Sequence, residues 1–185
     1  MTPAASAIAD ELRAAFPATR AARFTPMVNS VQGHEPARVA SDFADRDDWT
    51  TLQPDWLDAS PDGLSSALSF LADEAVRFYI PAYLAADLKG ALKTVDPAFE
   101  LVHGFDDMFR DLRIRPREET TWTDLARARW DGLSHPQAAA VVHYLEWLIE
   151  RDGIAARHGI VEALAAYWYA RAAFRRPGPP TPSER

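Results

Sequence analysis

Apolar residues recur every three or four positions along most of this chain, which is the spacing of amphipathic α-helices. The clearest run, Glu74–Leu88, predicts a central helix that extends to Lys93. Two later runs have the same periodicity, and the three together supply the predicted core. The residues predicted to be buried are Val76, Tyr79, Ile80, Tyr83, Leu84, Val141, Leu145, Leu148, Leu164 and Trp168.

Further helices are predicted on both sides of the central one, separated by connections rich in proline, glycine and aspartate. Their ranges are 4–16, 35–46, 64–71, 123–132, 135–152 and 155–174, with Ile160 as the alternative start of the last helix because Gly159 is unfavourable inside a helix. Single helical turns are expected within 47–62. Residues 97–112 are predicted as one or two helices, with a strand over Phe99–Val102 as the open alternative. We therefore predict an all-α protein with a single compact domain, residues 1–174, and a disordered proline-rich tail, residues 175–185.

Local signals place several helix boundaries. Ser134 and Gln137 form the pattern of a capping box at the start of the 135–152 helix, and Gly153 suits its end. Asp73 supplies a negative charge at the N-terminus of the central helix. Pro81 lies inside that helix and predicts a kink, because proline lacks the amide hydrogen that the helix needs there.

Composition narrows the classes of function. The chain has 20 Lys and Arg against 27 Asp and Glu, a formal net charge of -7, which argues against a nucleic-acid partner. It has no cysteine, so disulfides and thiolate metal sites are excluded. Its longest uncharged apolar stretch is far shorter than the ~20 residues that cross a bilayer, and no basic secretory start is present. We expect a cytoplasmic protein with no membrane partner and no cofactor, and the Ala-, Arg- and Pro-rich composition indicates a bacterial genome.

Negative charge is concentrated in residues 41–62, which contain seven aspartates and a single arginine. Two tryptophans lie in the same segment. One interpretation is a solvated acidic loop whose tryptophans fill the core. The other is an acidic, aromatic docking face for a basic protein, with at least one tryptophan partly exposed. Its predicted contact residues are Asp45, Asp47, Asp48, Trp49 and Trp56.

Two segments carry a family resemblance. Residues 64–84 read LSSALSFLADEAVRFYIPAYL, and residues 133–148 read LSHPQAAAVVHYLEWL. They resemble the motifs of a bacterial family known only as a domain of unknown function, in which the first motif reads roughly ALSFLTPEAFRYYLPAYL. The sequence departs from that motif at Ala72-Asp73, where the family has Thr-Pro. The resemblance covers about residues 35–170 and implies a recurring domain without an assigned activity.

The first motif also suggests a ligand groove. If the kink at Pro81 opens the helix, Arg77, Tyr79 and Tyr83 would line such a groove. The alternative is an ordinary core helix that uses its kink to fit its neighbours. Sequence alone leaves both interpretations open.

Signals for catalysis are weak. No phosphate-binding glycine loop and no nucleophile elbow occurs. The turn 103–107, with His103 beside Asp106 and Asp107, is the best candidate for a metal site, but one histidine and two carboxylates are a common combination. We predict no catalytic residue and no metal ligand.

The predicted function is therefore non-enzymatic binding of a basic protein, for example as an immunity-type antagonist of a toxin. One alternative is a small-ligand or metal-dependent enzyme built on the kinked helix and the 103–107 turn. Another is a structural homodimer. The oligomeric state is left open.

Overall fold

The computed structural model describes residues 1–59, 67–153 and 159–173. Helices make up 60% of it, and the described ranges contain isolated β-bridges but no strand. The helices are α1 (Pro3–Ala15), α2 (His34–Phe43), α3 (Pro54–Ala59), α4 (Asp73–Leu88), α5 (Pro97–Val102), α6 (Trp122–Trp130), α7 (His135–Asp152), α8 (Ile160–Ala163) and α9 (Tyr169–Ala172). Single 3₁₀ turns lie at Trp49–Thr51 and Ala67–Ser69, and a π-helical segment, Leu164–Trp168, joins α8 to α9. The all-α prediction is confirmed.

Helix starts follow local capping patterns. The Ser134 hydroxyl accepts from the Gln137 amide while the Gln137 side chain accepts from the Ser134 amide, so the predicted capping box is present. Thr121 and Asp124 form a second capping box at the start of α6, which the sequence analysis missed. Gly153 follows α7 with a φ of 81°, in the region that favours glycine.

The central helix, α4, is buried on nearly all sides. It packs against α1, α3, α5, α6 and the 3₁₀ turn at Trp49–Thr51. Pro81 is buried within it. Because a proline has no amide hydrogen, the carbonyl of Arg77 lacks its usual helical donor there.

The predicted extension of this helix to Lys93 is wrong, because α4 ends at Leu88. Gly90 follows with a φ of 64°, and the Ala91 amide donates to the Ala86 carbonyl over 3.1 Å. This arrangement satisfies a terminal carbonyl and turns the chain away from the helix axis.

The core lies between α4, α1 and α7, and α1 packs along α7. All ten residues predicted to be buried are buried. A contact between the side chains of His143 and Glu11, with 2.7 Å between Nδ1 and Oε2, joins α7 to α1 at the edge of this core. The helical periodicity therefore identified the inward faces correctly.

The region after α4 differs most from the prediction. Only Pro97–Val102 is helical within 97–112, so both the longer helix and the strand alternative are wrong. The last predicted helix begins at Ile160, the later of its two predicted starts, and Gly159 before it has a φ of 82°. The described part of the predicted 64–71 helix is a single 3₁₀ turn. Residues 60–66 and the predicted disordered tail, 175–185, lie outside the described residues.

Among the described helices, none combines the length and the apolar character that a membrane span requires.

Candidate functional site

The turn that follows α5 sets the geometry of a groove. Gly104 has a φ of 86°, and the Thr123 hydroxyl donates to its carbonyl over 2.8 Å, which ties the turn to the start of α6. Asp106 closes the next turn, because its Oδ1 accepts from the amides of Met108 and Phe109 at 2.9 and 3.0 Å. The loop is thus held in place by backbone hydrogen bonds and a glycine conformation.

Aromatic rings surround His103 in this turn. Ring centroids lie 5.2 Å away for Phe99, 4.5 Å for Phe109 and 4.7 Å for Trp122. Burial lowers the pKa of His103, and the nearby Asp106 carboxylate only partly opposes that effect. His103 is therefore neutral at pH 7 and belongs to an aromatic cluster.

The groove beside this cluster has a volume of about 300 Å³. Phe99 and Met108 form much of its apolar wall, although 57% and 73% of their surface is exposed to solvent. Leu125 is also exposed and shares a second, smaller cavity of about 70 Å³ with His103. Exposed large apolar side chains are thus concentrated on both sides of this histidine, which is a known mark of interaction surfaces.

The charged residues that line the groove are acidic. They are Asp106, Asp107 and Glu162, and no Lys or Arg is among the described lining residues. Arg110, outside the lining, pairs with Asp107 over 2.8 Å. Asp106 and Glu162 form no ion pair with another described residue, so the groove carries a net negative charge.

The carboxylates of the 103–107 turn are engaged in other contacts. Within the described ranges, no group of three or more His, Asp or Glu side chains is placed to hold a metal ion. Asp106 is occupied as a turn cap, and Asp107 pairs with an arginine. The metal-dependent form of the enzyme alternative has no support here.

Near His103 lies a partly buried polar network that the sequence did not indicate. Arg129 binds Glu100 over 2.6 Å and Asp73 over 3.3 Å, and so links α6, α5 and α4. In the small cavity nearby, Nδ1 of His103 and Nε1 of Trp130 have no hydrogen-bond partner among the described residues. The members of this network are far apart in sequence, so no local pattern could have identified them.

Three aspartates of the acidic segment make contacts within the chain. Asp45 pairs with Arg23 over 2.9 Å and Asp47 with Arg20 over 2.5 Å. Asp48 caps a 3₁₀ turn, because its Oδ1 accepts from the Thr50 amide over 2.8 Å. These aspartates therefore take part in holding the fold together, which neither interpretation of the segment included. Contact of the three with a basic partner stays a prediction.

Asp58, in the same segment, holds the loop after α4. Burial opposes its ionisation, but hydrogen bonds from the amides of Val95, Lys93 and Thr94 outweigh that effect and lower the pKa of Asp58. Its carboxylate therefore acts as a structural cap for residues 93–95.

The two tryptophans of the segment differ. Trp49 is only 3% exposed, and its Nε1 donates to the Pro17 carbonyl over 2.8 Å, so as a partner contact Trp49 is a wrong prediction. Trp56 is half-buried, with the Phe43 ring at 4.9 Å and the Arg46 guanidinium at 4.8 Å. Only Trp56 retains surface for a partner.

The groove predicted from Arg77, Tyr79 and Tyr83 does not form as a unit. Both tyrosines are fully buried. The Tyr79 hydroxyl donates to the Arg46 carbonyl over 2.6 Å and thereby fixes the end of α2. Burial raises the pKa of Tyr83. Arg77 alone reaches a cavity, on a different face of the molecule.

A family model described as "Family of unknown function (DUF6714)" matches residues 8–172. The chain belongs to this family. The resemblance to a domain of unknown function is thereby confirmed, and the DUF6714 match reaches further toward the N-terminus than the two motifs indicated. Comparison with curated proteins and with solved structures finds no significant match. Membership in the DUF6714 family assigns no activity, so function is argued from geometry.

Proposed function

We propose that this DUF6714 domain is a binding module that holds a basic, apolar segment of a partner protein in the groove beside His103. The observation that carries the proposal is the exposure of Phe99 and Met108 in the wall of a 300 Å³ depression. Apolar side chains exposed side by side cost free energy in water, and a partner removes that cost by covering them.

The charge of the groove selects the partner. Asp106 and Glu162 lack ion-pair partners in the described chain, and Asp107 shares its charge with Arg110. A segment with Lys or Arg beside apolar residues would place cations against these carboxylates. Such complementarity raises the association rate and rejects acidic competitors.

The proposed partner is a basic protein, as predicted from the sequence. The proposed binding surface is the groove beside His103 instead of residues 41–62. An immunity-type antagonist of a basic toxin is one specific form of the proposal. The cytoplasmic location and the bacterial origin inferred from the sequence stay predictions.

The test measures binding of a labelled amphipathic peptide of leucine and lysine by fluorescence anisotropy. We expect the double variant Phe99→Ser, Met108→Gln to weaken binding at least tenfold, about 1.4 kcal/mol. The matched control is Val31→Ser, which removes an apolar side chain that is 94% exposed and does not line the groove.

A second pair of variants, Asp107→Asn with Glu162→Gln, tests the charge. It should lower affinity and flatten the salt dependence of binding. Equal affinity for a leucine and glutamate peptide would contradict the proposal. A wild-type dimer that the Phe99→Ser, Met108→Gln variant dissociates, measured by sedimentation, would instead establish the homodimer alternative.

A further inference from the structure

A second concave site lies on another face and shares no lining residue with the groove. It has a volume of about 430 Å³. Its walls come from the loop after α1, the first turns of α4 and the turn between α6 and α7, and they include Phe24, Phe78 and Leu133. This size is within the range of small-molecule sites, about 300–1,000 Å³.

Arg77 is a lining arginine without a carboxylate partner among the described residues. Its Nη1 donates to the Arg129 carbonyl over 2.5 Å, and the side chain is half-buried. It forms no ion pair with any carboxylate of the described chain. A guanidinium has five N–H donors, so Arg77 keeps donors with which it could bind an anion entering the cavity.

The position of Arg77 depends on Gly132. A Cβ at Gly132 would lie 2.8 Å from both Cζ and Nε of Arg77, so the guanidinium rests directly on the glycine backbone. Gly132 lines the same cavity. The turn between α6 and α7 is thus shaped to admit this side chain.

Arg20 supplies a second incompletely paired guanidinium. Its side chain is 3% exposed. Its Nε donates to Asp47 over 2.6 Å, and its Nη2 donates to the Ala44 carbonyl. Its Nη1 is buried with no hydrogen-bond partner among the described residues. Arginine has five donors in a fixed planar array, so Asp47 holds this array in place while leaving one nitrogen unused.

We propose that this cavity binds a small organic monocarboxylate with an apolar body. The carboxylate would pair with Arg77, since guanidinium and carboxylate match in planar, bidentate geometry. The apolar body would lie against Phe24, Phe78 and Leu133. Arg20 would add positive potential and a donor behind the pairing site.

Charge favours a carboxylate over a phosphate group. Arg20 is already paired with Asp47 and Arg23 with Asp45. Only Arg77 among the three lining arginines has no carboxylate partner, while the exposed Glu74 adds a negative charge to the lining. Arg77 can therefore pair with one negative charge, and Glu74 opposes a second one, which favours a monoanion over a dianion.

The experiment uses benzoate as the probe, with benzamide as its neutral counterpart and phenyl phosphate as the dianion. Binding is followed by amide chemical shifts of the full-length protein. We expect benzoate to shift the amides of Phe78 and Leu133, benzamide to bind at least tenfold more weakly, and phenyl phosphate to bind more weakly than benzoate.

Substitutions of Arg77 test whether its side chain contacts benzoate. Arg77→Gln should weaken benzoate binding at least tenfold, and Arg77→Lys should restore part of the affinity because it keeps the charge. The control Arg113→Gln removes an exposed arginine that does not line the cavity, and it should bind benzoate as the wild type does.

Three results would overturn the proposal: equal binding of benzoate and benzamide, tighter binding of phenyl phosphate, or no effect of Arg77→Gln in a folded variant. If Arg77→Gln fails to fold, the chemical-shift changes that benzoate causes in the wild-type protein still test the proposal. Changes confined to amides on other faces would exclude this cavity.

Discussion

Gly104→Ala is the substitution that tests most directly how the groove is built. Gly104 has a φ of 86°, and a Cβ there would lie 2.6 Å from the Trp122 carbonyl oxygen and 3.0 Å from the Ala126 Cβ. The obstacle is the backbone of α6, which cannot rotate away as a flexible side chain can.

Two costs add at this position. A left-handed conformation costs an alanine about 1–2 kcal/mol relative to glycine. Forcing a methyl group into a filled space costs about 1–3 kcal/mol more. The free energy of unfolding should therefore fall by about 2–5 kcal/mol.

Gly90→Ala is the matched control. Gly90 also has a positive φ, 64°, but a Cβ there would meet nothing within 4 Å. In Gly90→Ala the free energy of unfolding should fall only by the conformational cost, about 1–2 kcal/mol. Urea unfolding followed by circular dichroism gives both values. Equal losses for the two variants would show that the turn after α5 does not press against α6.

Three further outcomes are expected. Leu145→Ala, at a fully buried position in α7, should lower the free energy of unfolding by roughly 2–5 kcal/mol in urea melts; a loss below 1 kcal/mol would mean that its surroundings collapse around the cavity. Burial raises the pKa of Tyr79 to about 12. The contribution of neutral Tyr79 to folding stability is therefore present below pH ~10 and is lost as pH rises from there toward 12. Tyr79→Phe should reduce this loss of stability at alkaline pH in circular dichroism titrations. Burial lowers the pKa of His103. The contribution of neutral His103 to folding stability is therefore present above pH ~6.5 and is lost as pH falls below that value. Thermal melts of His103→Gln between pH 7.5 and 5.5, about one unit on either side of that value, should depend less on pH than those of the wild type.

The acidic segment illustrates where sequence reasoning failed. Seven aspartates in a short stretch indicated surplus charge. Asp47, however, pairs with Arg20 across 27 positions, and Asp58 caps a loop that lies 35 to 37 positions further on. A carboxylate with a distant partner has the same local sequence as one that is solvated, so only the folded chain distinguishes them.

The sequence by itself determined the long helices and their inward faces. Periodicity and capping are local: a side chain at Val141 or Leu145 faces the core because of its position on its own helix, and Ser134 and Gln137 are three residues apart. The family could also be recognised from contiguous motifs.

Only the tertiary structure showed which residues come together in the two candidate sites. The groove combines the turn after α5 with Gly159 and Glu162, and the second cavity brings Arg20 together with Arg77 and Gly132. Which distant residues become neighbours depends on how the helices pack and on where each one ends. Those ends are set by turns such as the one at Gly90, which has a φ of 64° and follows the end of α4.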